Sequence, residues 1–178
     1  MNLETINKLI IISSPSGAGK TTLCKLLIKK MKIIDIESFL DSWKEGVIKI
    51  GQIYIDNGDY EEAAKEFLSL HYAFDTEEVL FKPTFTKEVV FRNSIDLALS
   101  YFIKGEIAED NGFALKPWEK IELNELNVIN DEKNKIAMGT FNFKPLNEDQ
   151  FTLVAFTFFF TTSDSSLKIK VHHSSPVT

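Results

Sequence analysis

The residue types and spacing that bind phosphate groups occur near the amino terminus. Residues 14–21 read Ser-Pro-Ser-Gly-Ala-Gly-Lys-Thr, which completes the phosphate-loop pattern G-x-x-x-x-G-K-[ST] except for its first glycine. Glycines let backbone N–H groups curl around an anion, while Lys20 would reach the β and γ phosphates and Thr21 would bind Mg²⁺. No cofactor is expected except a magnesium nucleotide, and that only if the loop is assembled by Ser16, Gly17, Gly19, Lys20 and Thr21.

A second group of polar residues, further along the chain, has the side chains of an anion-binding or acid–base site. Its members are Lys82, Arg92, Glu109, Asp110, His172 and His173. In a strand His172 and His173 point to opposite faces, so only one of them can face a pocket. The catalytic candidates are these two histidines together with Arg92 and Asp110. The alternative is that the inward histidine is a hydrogen-bonded core residue. No metal site is predicted, because no ligand spacing is recognisable.

Several large side chains are candidates for lining a ligand pocket. An aromatic residue in such a sequence is equally consistent with an ordinary hydrophobic core. The pocket candidates are Trp43, Tyr54, Tyr72, Lys82, Arg92, Tyr101 and Trp118.

The composition limits the partners of the chain. It has 178 residues, of which 44% are apolar, and a net charge of −6, so a nucleic-acid partner is not expected. The apolar run at residues 151–160 is too short to cross a membrane as a helix, so no membrane partner is expected. The single cysteine, Cys24, excludes an internal disulfide and fits a cytoplasmic location.

The patterns around the phosphate loop are those its chemistry requires. Residues 8–12 form a β-branched run typical of a buried parallel strand, and apolar residues recur at helical spacing over residues 23–31. Over residues 5–32 the chain resembles the guanylate kinases. That resemblance implies nucleotide binding by the loop.

The rest of the chain departs from the guanylate-kinase pattern. Phosphoryl transfer needs several arginines, but Arg92 is the only arginine, and no strand ending in Asp supplies a second Mg²⁺ ligand. No further strand–helix units follow to complete a parallel sheet. The sequence therefore predicts that residues 1–35 are a guanylate-kinase-like fragment and that the chain is not a working guanylate kinase.

Beyond this segment the apolar spacing predicts helices. Apolar residues at offsets 0, 3, 4, 7, 11, 14 and 18 from Ile36 mark one face of a long helix that ends at Asn57 and Gly58. Asp59 can cap a second helix, with Glu62 in the capping-box position. The predicted buried residues of this second helix are Ala63, Phe67, Leu68 and His71.

Strands dominate the second half of the chain. Short strands are predicted at residues 79–83 and 89–91, followed by a third helix that begins after residue 93 or 94 and ends near residue 105. Turn-like segments separate four longer strands, and the hydrophobic phase slips between Leu123 and Leu126, which predicts a bulge. The longer strands are at residues 118–129, 136–143, 151–161 and 167–171. This order predicts an α+β architecture with an antiparallel meander.

Residues 36–178 resemble the nuclear-transport-factor-2-like superfamily, also called SnoaL-like or cystatin-like. The resemblance lies in short stretches that occur in the same order, including Phe81-Lys82-Pro83-Thr84, Phe91-Arg92, Glu109-Asp110-Asn111-Gly112, Pro117-Trp118 and His172-His173-Ser174-Ser175. It implies a cone: a strongly curved antiparallel sheet wrapped on three helices, with a pocket at the open end. It also implies a homodimer or larger assembly through the sheet, and it places Arg92 and one of the two histidines in the pocket.

Two classes of function remain open. The first is a small-molecule-binding or oligomeric assembly module without catalysis. The second is an enzyme, either a nucleotide-binding protein that uses the phosphate loop or a cone-fold isomerase, hydratase or cyclase with a histidine general base. The fold alone cannot choose between them, because this superfamily places many functions on one scaffold.

Overall fold

A computed structural model of the protein describes residues 20–131, 133–163 and 166–178. The predicted strand at residues 8–12 and the predicted loop residues Ser16, Gly17 and Gly19 lie outside this part of the chain. In the described part, three helices pack on one face of a five-stranded mixed sheet, which confirms the predicted α+β class. No helix in these ranges combines the length and apolarity that a membrane crossing needs.

Capping residues mark the starts of the second and third helices. Helix α1 spans Lys20–Ile55, so the two predicted helices on either side of residue 35 form one continuous element. Helix α2 spans Tyr60–His71, and the Asp59 side chain accepts a hydrogen bond from the backbone N–H of Glu62 at 3.0 Å. Helix α3 spans Ile95–Ile103 and is capped by Ser94. Within α2, Phe67, Leu68 and His71 are buried as predicted, but Ala64 is buried in place of Ala63.

The sheet has the order β1-β5-β4-β3-β2. Neighbouring strands are antiparallel except for β1, a short edge strand that runs parallel to β5 and that the predicted meander did not include. The strands are β1 (Leu80–Lys82), β2 (Trp118–Asn130), β3 (Lys135–Pro145), β4 (Thr152–Ser163) and β5 (Ser166–Pro176).

The structure confirms the bulge in β2 that the slip in hydrophobic phase predicted. The register with β3 shifts between Leu123 and Glu125, so Asn124 is the extra residue. Gly139 lies opposite, where an added Cβ would be 2.1 Å from the Glu125 carbonyl oxygen. Only glycine fits this position without moving backbone.

The prediction of a strand at residues 89–91 is wrong. The carboxylate of Glu109 accepts hydrogen bonds from the backbone N–H groups of Lys87, Glu88 and Val89 at 2.9, 3.0 and 3.0 Å. These donors are therefore not available for a strand ladder. The segment ends beside β1, where the Arg92 N–H donates to the Phe81 carbonyl oxygen and the Asn93 side chain accepts from the Phe81 N–H.

Candidate functional site

The pleat of β5 decides between the two adjacent histidines. His172 is buried and His173 is exposed. His172 lies between Phe81 of β1 and Phe158 of β4, its partners in register. Its ring stacks on Phe81 at a centroid distance of 4.6 Å and meets Phe158 edge-on at 4.5 Å. The inward histidine is therefore held by aromatic rings on both sides.

Both ring nitrogens of His172 are hydrogen-bonded. Nδ1 lies 2.8 Å from the hydroxyl oxygen of Tyr72, which also accepts a hydrogen bond from the indole N–H of Trp43 at 3.3 Å. Nε2 lies 3.1 Å from Oγ of Ser174, and Ser174 Oγ lies 2.9 Å from Oγ1 of Thr84. These side chains form a continuous series, called here the His172 network, that ends at Thr84.

A second buried tyrosine, Tyr101, lies next to the end of this network. Its hydroxyl oxygen accepts a hydrogen bond from the backbone N–H of Phe85 at 3.4 Å. Burial raises the pKa of Tyr101 well above its ordinary value, and the hydrogen bond from Phe85 offsets part of that rise. Tyr101 is therefore a neutral hydrogen-bond donor at physiological pH.

A small cavity lies against the network. Its volume, counted as space for the centre of a water molecule, is about 10 Å³, close to the minimum for one water. Its polar wall consists of Thr84, Tyr101, His172 and Ser174, and the remaining wall is apolar and largely aromatic, with Trp43 and Phe141 among its members. The cavity is thus an apolar space with hydrogen-bonding groups at one end.

Burial keeps the histidine and its tyrosine partner uncharged. It lowers the pKa of His172 well below 6.5, and the nearby charges of His173 and Lys82 lower it further. It raises the pKa of Tyr72 well above 10. At neutral pH the pair is therefore a neutral imidazole and a neutral phenol.

Lys82 brings a positive charge close to the cavity without lining it. Its Nζ donates a hydrogen bond to the Ser174 carbonyl oxygen at 2.8 Å, across the parallel pairing of β1 and β5. Partial burial lowers the pKa of Lys82 from 10.5.

Arg92 and Asp110 form a separate buried ion pair. The Arg92 guanidinium lies 2.8 Å from Asp110 and 3.2 Å from Glu109, and it also donates to the Val89 carbonyl oxygen. Asp110 accepts a further hydrogen bond from Ser100 at 2.7 Å. Burial alone would lower the pKa of Arg92, but the two carboxylates raise it, while hydrogen bonds led by the Glu88 N–H lower the pKa of Glu109 to about 2.

This cluster borders a second cavity of about 250 Å³. Tyr101 and Phe113 line both cavities, so their stacked rings, 5.4 Å apart, form the wall between them. Asp110, Glu109 and Trp118 line only the second cavity, and Arg92 lines neither. Within the described ranges, no three His, Cys, Asp or Glu side chains are grouped as metal ligands would be.

The remaining predicted site residues are placed as follows. Trp43 and Tyr101 line the small cavity beside His172. Tyr54 is 44% exposed and packs edge-on against Tyr60, and it is not among the cavity residues. Lys20 and Thr21 of the predicted phosphate loop form the first turn of α1.

Two members of the network, Thr84 and Ser174, were absent from the predicted site. Ser174 had a detectable signal, since residues two apart on a strand share a face and His172 was already a candidate. Thr84 had none, because its partner is 90 residues away in the sequence. Tyr72 was a pocket candidate, but it hydrogen-bonds to His172 and is not among the residues that line the small cavity.

The chain is similar to proteins of known structure. The iota-carbonic anhydrase of a cyanobacterium, in complex with bicarbonate, is similar in structure with a TM-score of 0.75 and 27% sequence identity. The match covers 81% of this chain and 91% of that chain. No curated protein sequence is significantly similar to the chain.

Two more distant structures share the fold. One is described as a calcium/calmodulin-dependent protein kinase II association domain from Xanthomonas campestris, with a TM-score of 0.59, 18% identity, and coverage of 80% of this chain and 86% of that one. The other is described as a dehydratase of the nuclear-transport-factor-2-like family from Streptomyces avermitilis, with a TM-score of 0.53, 16% identity, and coverage of 84% and 99%. The predicted cone fold is confirmed by these neighbours. The family model of metal-independent carbonic anhydrases matches residues 34–176, and the chain therefore belongs to that family.

Proposed function

We propose that this protein catalyses the reversible hydration of CO₂ in the small cavity beside His172, without a metal ion. The observation that carries the proposal is the cavity itself, which joins an aromatic wall to a row of hydroxyl groups fixed by a neutral imidazole. Membership of the metal-independent carbonic anhydrase family and the likeness to a bicarbonate-bound relative support it.

The two ends of the cavity suit the two forms of the substrate. CO₂ has no hydrogen to donate and no net charge, so an apolar aromatic wall accommodates it without loss of hydrogen bonds. Bicarbonate is an anion and needs donors, which Tyr101 and Thr84 can supply. The charge of Lys82, held at the Ser174 carbonyl, favours an anion at this end.

Tyr101 is placed to stabilise the charge that develops during hydration. Its oxygen accepts a hydrogen bond from the Phe85 N–H, and its own hydrogen is available for a substrate oxygen. A donor that is fixed before the reaction and shielded from water stabilises an oxyanion more strongly than a donor in solution. Because the cavity holds about one water, the lining side chains must move to admit CO₂ and water together.

The proposed step balances as follows. The oxygen of a water molecule bonds to the carbon of CO₂, and one C=O electron pair moves to the oxygen that faces Tyr101. The attacking water gives one proton to a second water molecule, so that bicarbonate and a hydrated proton form. His172 has both nitrogens engaged and acts through Ser174 rather than as a direct general base.

The test is the exchange of ¹⁸O between labelled CO₂ and water, followed by mass spectrometry on the full chain. We expect catalysed exchange that a strong chelator of divalent metals does not reduce. Exchange no faster than in protein-free buffer, from a protein shown to be folded by circular dichroism, would overturn the proposal. Bicarbonate binding without catalysed exchange would instead favour a small-molecule-binding module.

We also propose that the outer face of the sheet joins two copies of the chain. Met138 is 55% exposed there, and its neighbours on this face include half-buried Phe159 and Leu153. An apolar sheet face of this kind is typical of a protein interface.

Sedimentation velocity should give a dimer or larger species that Met138→Glu dissociates. The matched control is Leu146→Glu, at an exposed leucine outside the strands. A monomeric wild-type protein would contradict this proposal.

A further inference from the structure

We infer that Trp43 and Tyr72 are positioning residues that hold His172 in the tautomer protonated at Nε2. This tautomer in turn directs the hydroxyl hydrogen of Ser174 toward Thr84, which leaves the Thr84 hydrogen for the cavity. The consequence for catalysis rests on the proposed CO₂ hydration, but the tautomer itself is a property of the folded chain and can be measured without any reaction.

The donor-to-acceptor direction of the hydrogen bonds in the network is set at Trp43. An indole N–H can only donate a hydrogen bond, so Trp43 donates to the Tyr72 oxygen. Tyr72 then has one hydrogen, and His172 Nδ1 is its only recorded acceptor within the described ranges. If Nδ1 carried a hydrogen, it would donate to Tyr72 and leave the Tyr72 hydrogen buried without an acceptor. Such an unpaired donor is costly, so Tyr72 donates and Nδ1 accepts.

The remaining directions follow from this one. A neutral imidazole with an unprotonated Nδ1 carries its hydrogen on Nε2, which therefore donates to Ser174. Ser174 has accepted one hydrogen bond and donates its own hydrogen to Thr84, which is 2.9 Å away. Thr84 has accepted this hydrogen bond and is left with its own hydrogen for the cavity that it lines.

His71, the other buried histidine, should have the opposite tautomer. Its Nδ1 lies 2.9 Å from the Phe67 carbonyl oxygen, which can only accept, so Nδ1 carries the hydrogen. Its Nε2 then accepts from the Ser42 hydroxyl at 3.0 Å. The two histidines provide an internal comparison within one protein.

The experiment is a long-range ¹H–¹⁵N correlation spectrum of the full chain labelled in histidine, which distinguishes protonated from unprotonated ring nitrogens. The chain has three histidines, and their signals are assigned with His71→Gln and His173→Gln. We expect Nε2 of His172 and Nδ1 of His71 to be protonated. A spectrum with His172 protonated at Nδ1 would overturn the inference whether or not the protein hydrates CO₂.

The Tyr72→Phe variant tests whether the Tyr72 hydroxyl sets the tautomer of His172. Without the hydroxyl, neither tautomer of His172 pairs both nitrogens, so both should be populated and both ¹⁵N shifts should become intermediate. His71 should be unchanged. The kcat for CO₂ hydration should fall about tenfold with a smaller change in KM, as expected for a donor that acts mainly in the transition state.

The matched control is Tyr60→Phe, which removes the hydroxyl of a half-buried tyrosine that packs against Tyr54. It should leave the shifts of His172 and kcat as in the wild type. If Tyr72→Phe leaves the His172 shifts unchanged, Tyr72 does not set the tautomer and the inference fails. If that variant does not fold, the wild-type spectrum alone decides.

Discussion

Tyr72 and His172 are 100 residues apart in the sequence, yet the Tyr72 hydroxyl lies 2.8 Å from Nδ1 of His172. Tyr72 is the C-cap residue of α2, and it also forms an isolated parallel bridge with Ile169 of β5. The end of α2 is thereby fixed to the strand that carries the histidine. The position of His172 depends on helix–sheet packing as much as on its own strand.

Removing one hydroxyl from the cavity wall should reduce activity while preserving the fold. Ser174→Ala removes the group between His172 and Thr84, and we expect kcat/KM for CO₂ hydration to fall about ten- to hundredfold. The adjacent Ser175 lies on the opposite face of β5, so Ser175→Ala is a matched control that should keep full activity. Stopped-flow hydration assays compare the two, and equal rates would exclude Ser174 from the site.

The Arg92–Asp110 pair should contribute to stability. Arg92→Met leaves the buried carboxylate of Asp110 without its cation, and breaking a buried pair in this way costs about 3–5 kcal/mol. The exposed pair Lys65–Glu62 provides the control, since Glu62→Gln should cost less than about 1 kcal/mol. Urea unfolding measures both free energies. Similar losses in the two variants would mean that burial of the pair has no energetic role.

The stability of the protein should fall as the pH drops from 6.5 toward 4. Burial lowers the pKa of His71 from 6.5 to about 4, although the hydrogen bond to Phe67 opposes the shift. The unfolded chain therefore binds more protons than the folded chain in this range, and stability is lost as pH falls. His71 alone accounts for roughly 3 kcal/mol, and the lowered pKa of His172 acts in the same direction.

The measurement is the free energy of unfolding at a series of pH values. His71→Gln should flatten the pH dependence between 6.5 and 4, whereas His173→Gln, at an exposed position, should keep it. If the His71→Gln curve is parallel to that of the wild type, proton uptake by His71 is not coupled to unfolding, and this prediction is wrong.

Nucleotides should not bind in the manner of a kinase substrate. The single arginine is fully buried between Asp110 and Glu109 and is not available to neutralise a phosphate. Calorimetric titration with Mg²⁺-GTP, Mg²⁺-ATP and GMP should give no measurable heat of binding, in the wild type and in Lys20→Ala alike. Micromolar binding that Lys20→Ala abolishes would mean that the phosphate loop is assembled.

The long regular elements were predictable because their signals are local. The apolar stripe from Ile36 to Ile50 is buried along α1, and Asp59 and Ser94 cap the helices they were expected to cap. The bulge in β2 was visible as a phase slip. These features depend on neighbours within a few residues, which a sequence displays directly.

The cavity was less predictable because its contacts are distant in sequence. Alternation required one inward histidine but could not say which, since apolar residues occur on both faces of β5. Arg92 has the chemistry of an anion site but is neutralised by carboxylates from another segment. The segment at residues 89–91 has strand-forming residues, yet the backbone N–H of Val89 donates its hydrogen bond to the side chain of Glu109.

The contacts of Arg92 and Asn93 with β1 have a consequence for aggregation. An open strand edge is a template for pairing with other molecules, but here the outer edge of β1 is already hydrogen-bonded by these two residues. At the other edge β2 carries charged side chains, among them the exposed pair Lys120–Glu122. Edge-to-edge pairing of the sheets of two molecules is therefore disfavoured in this protein.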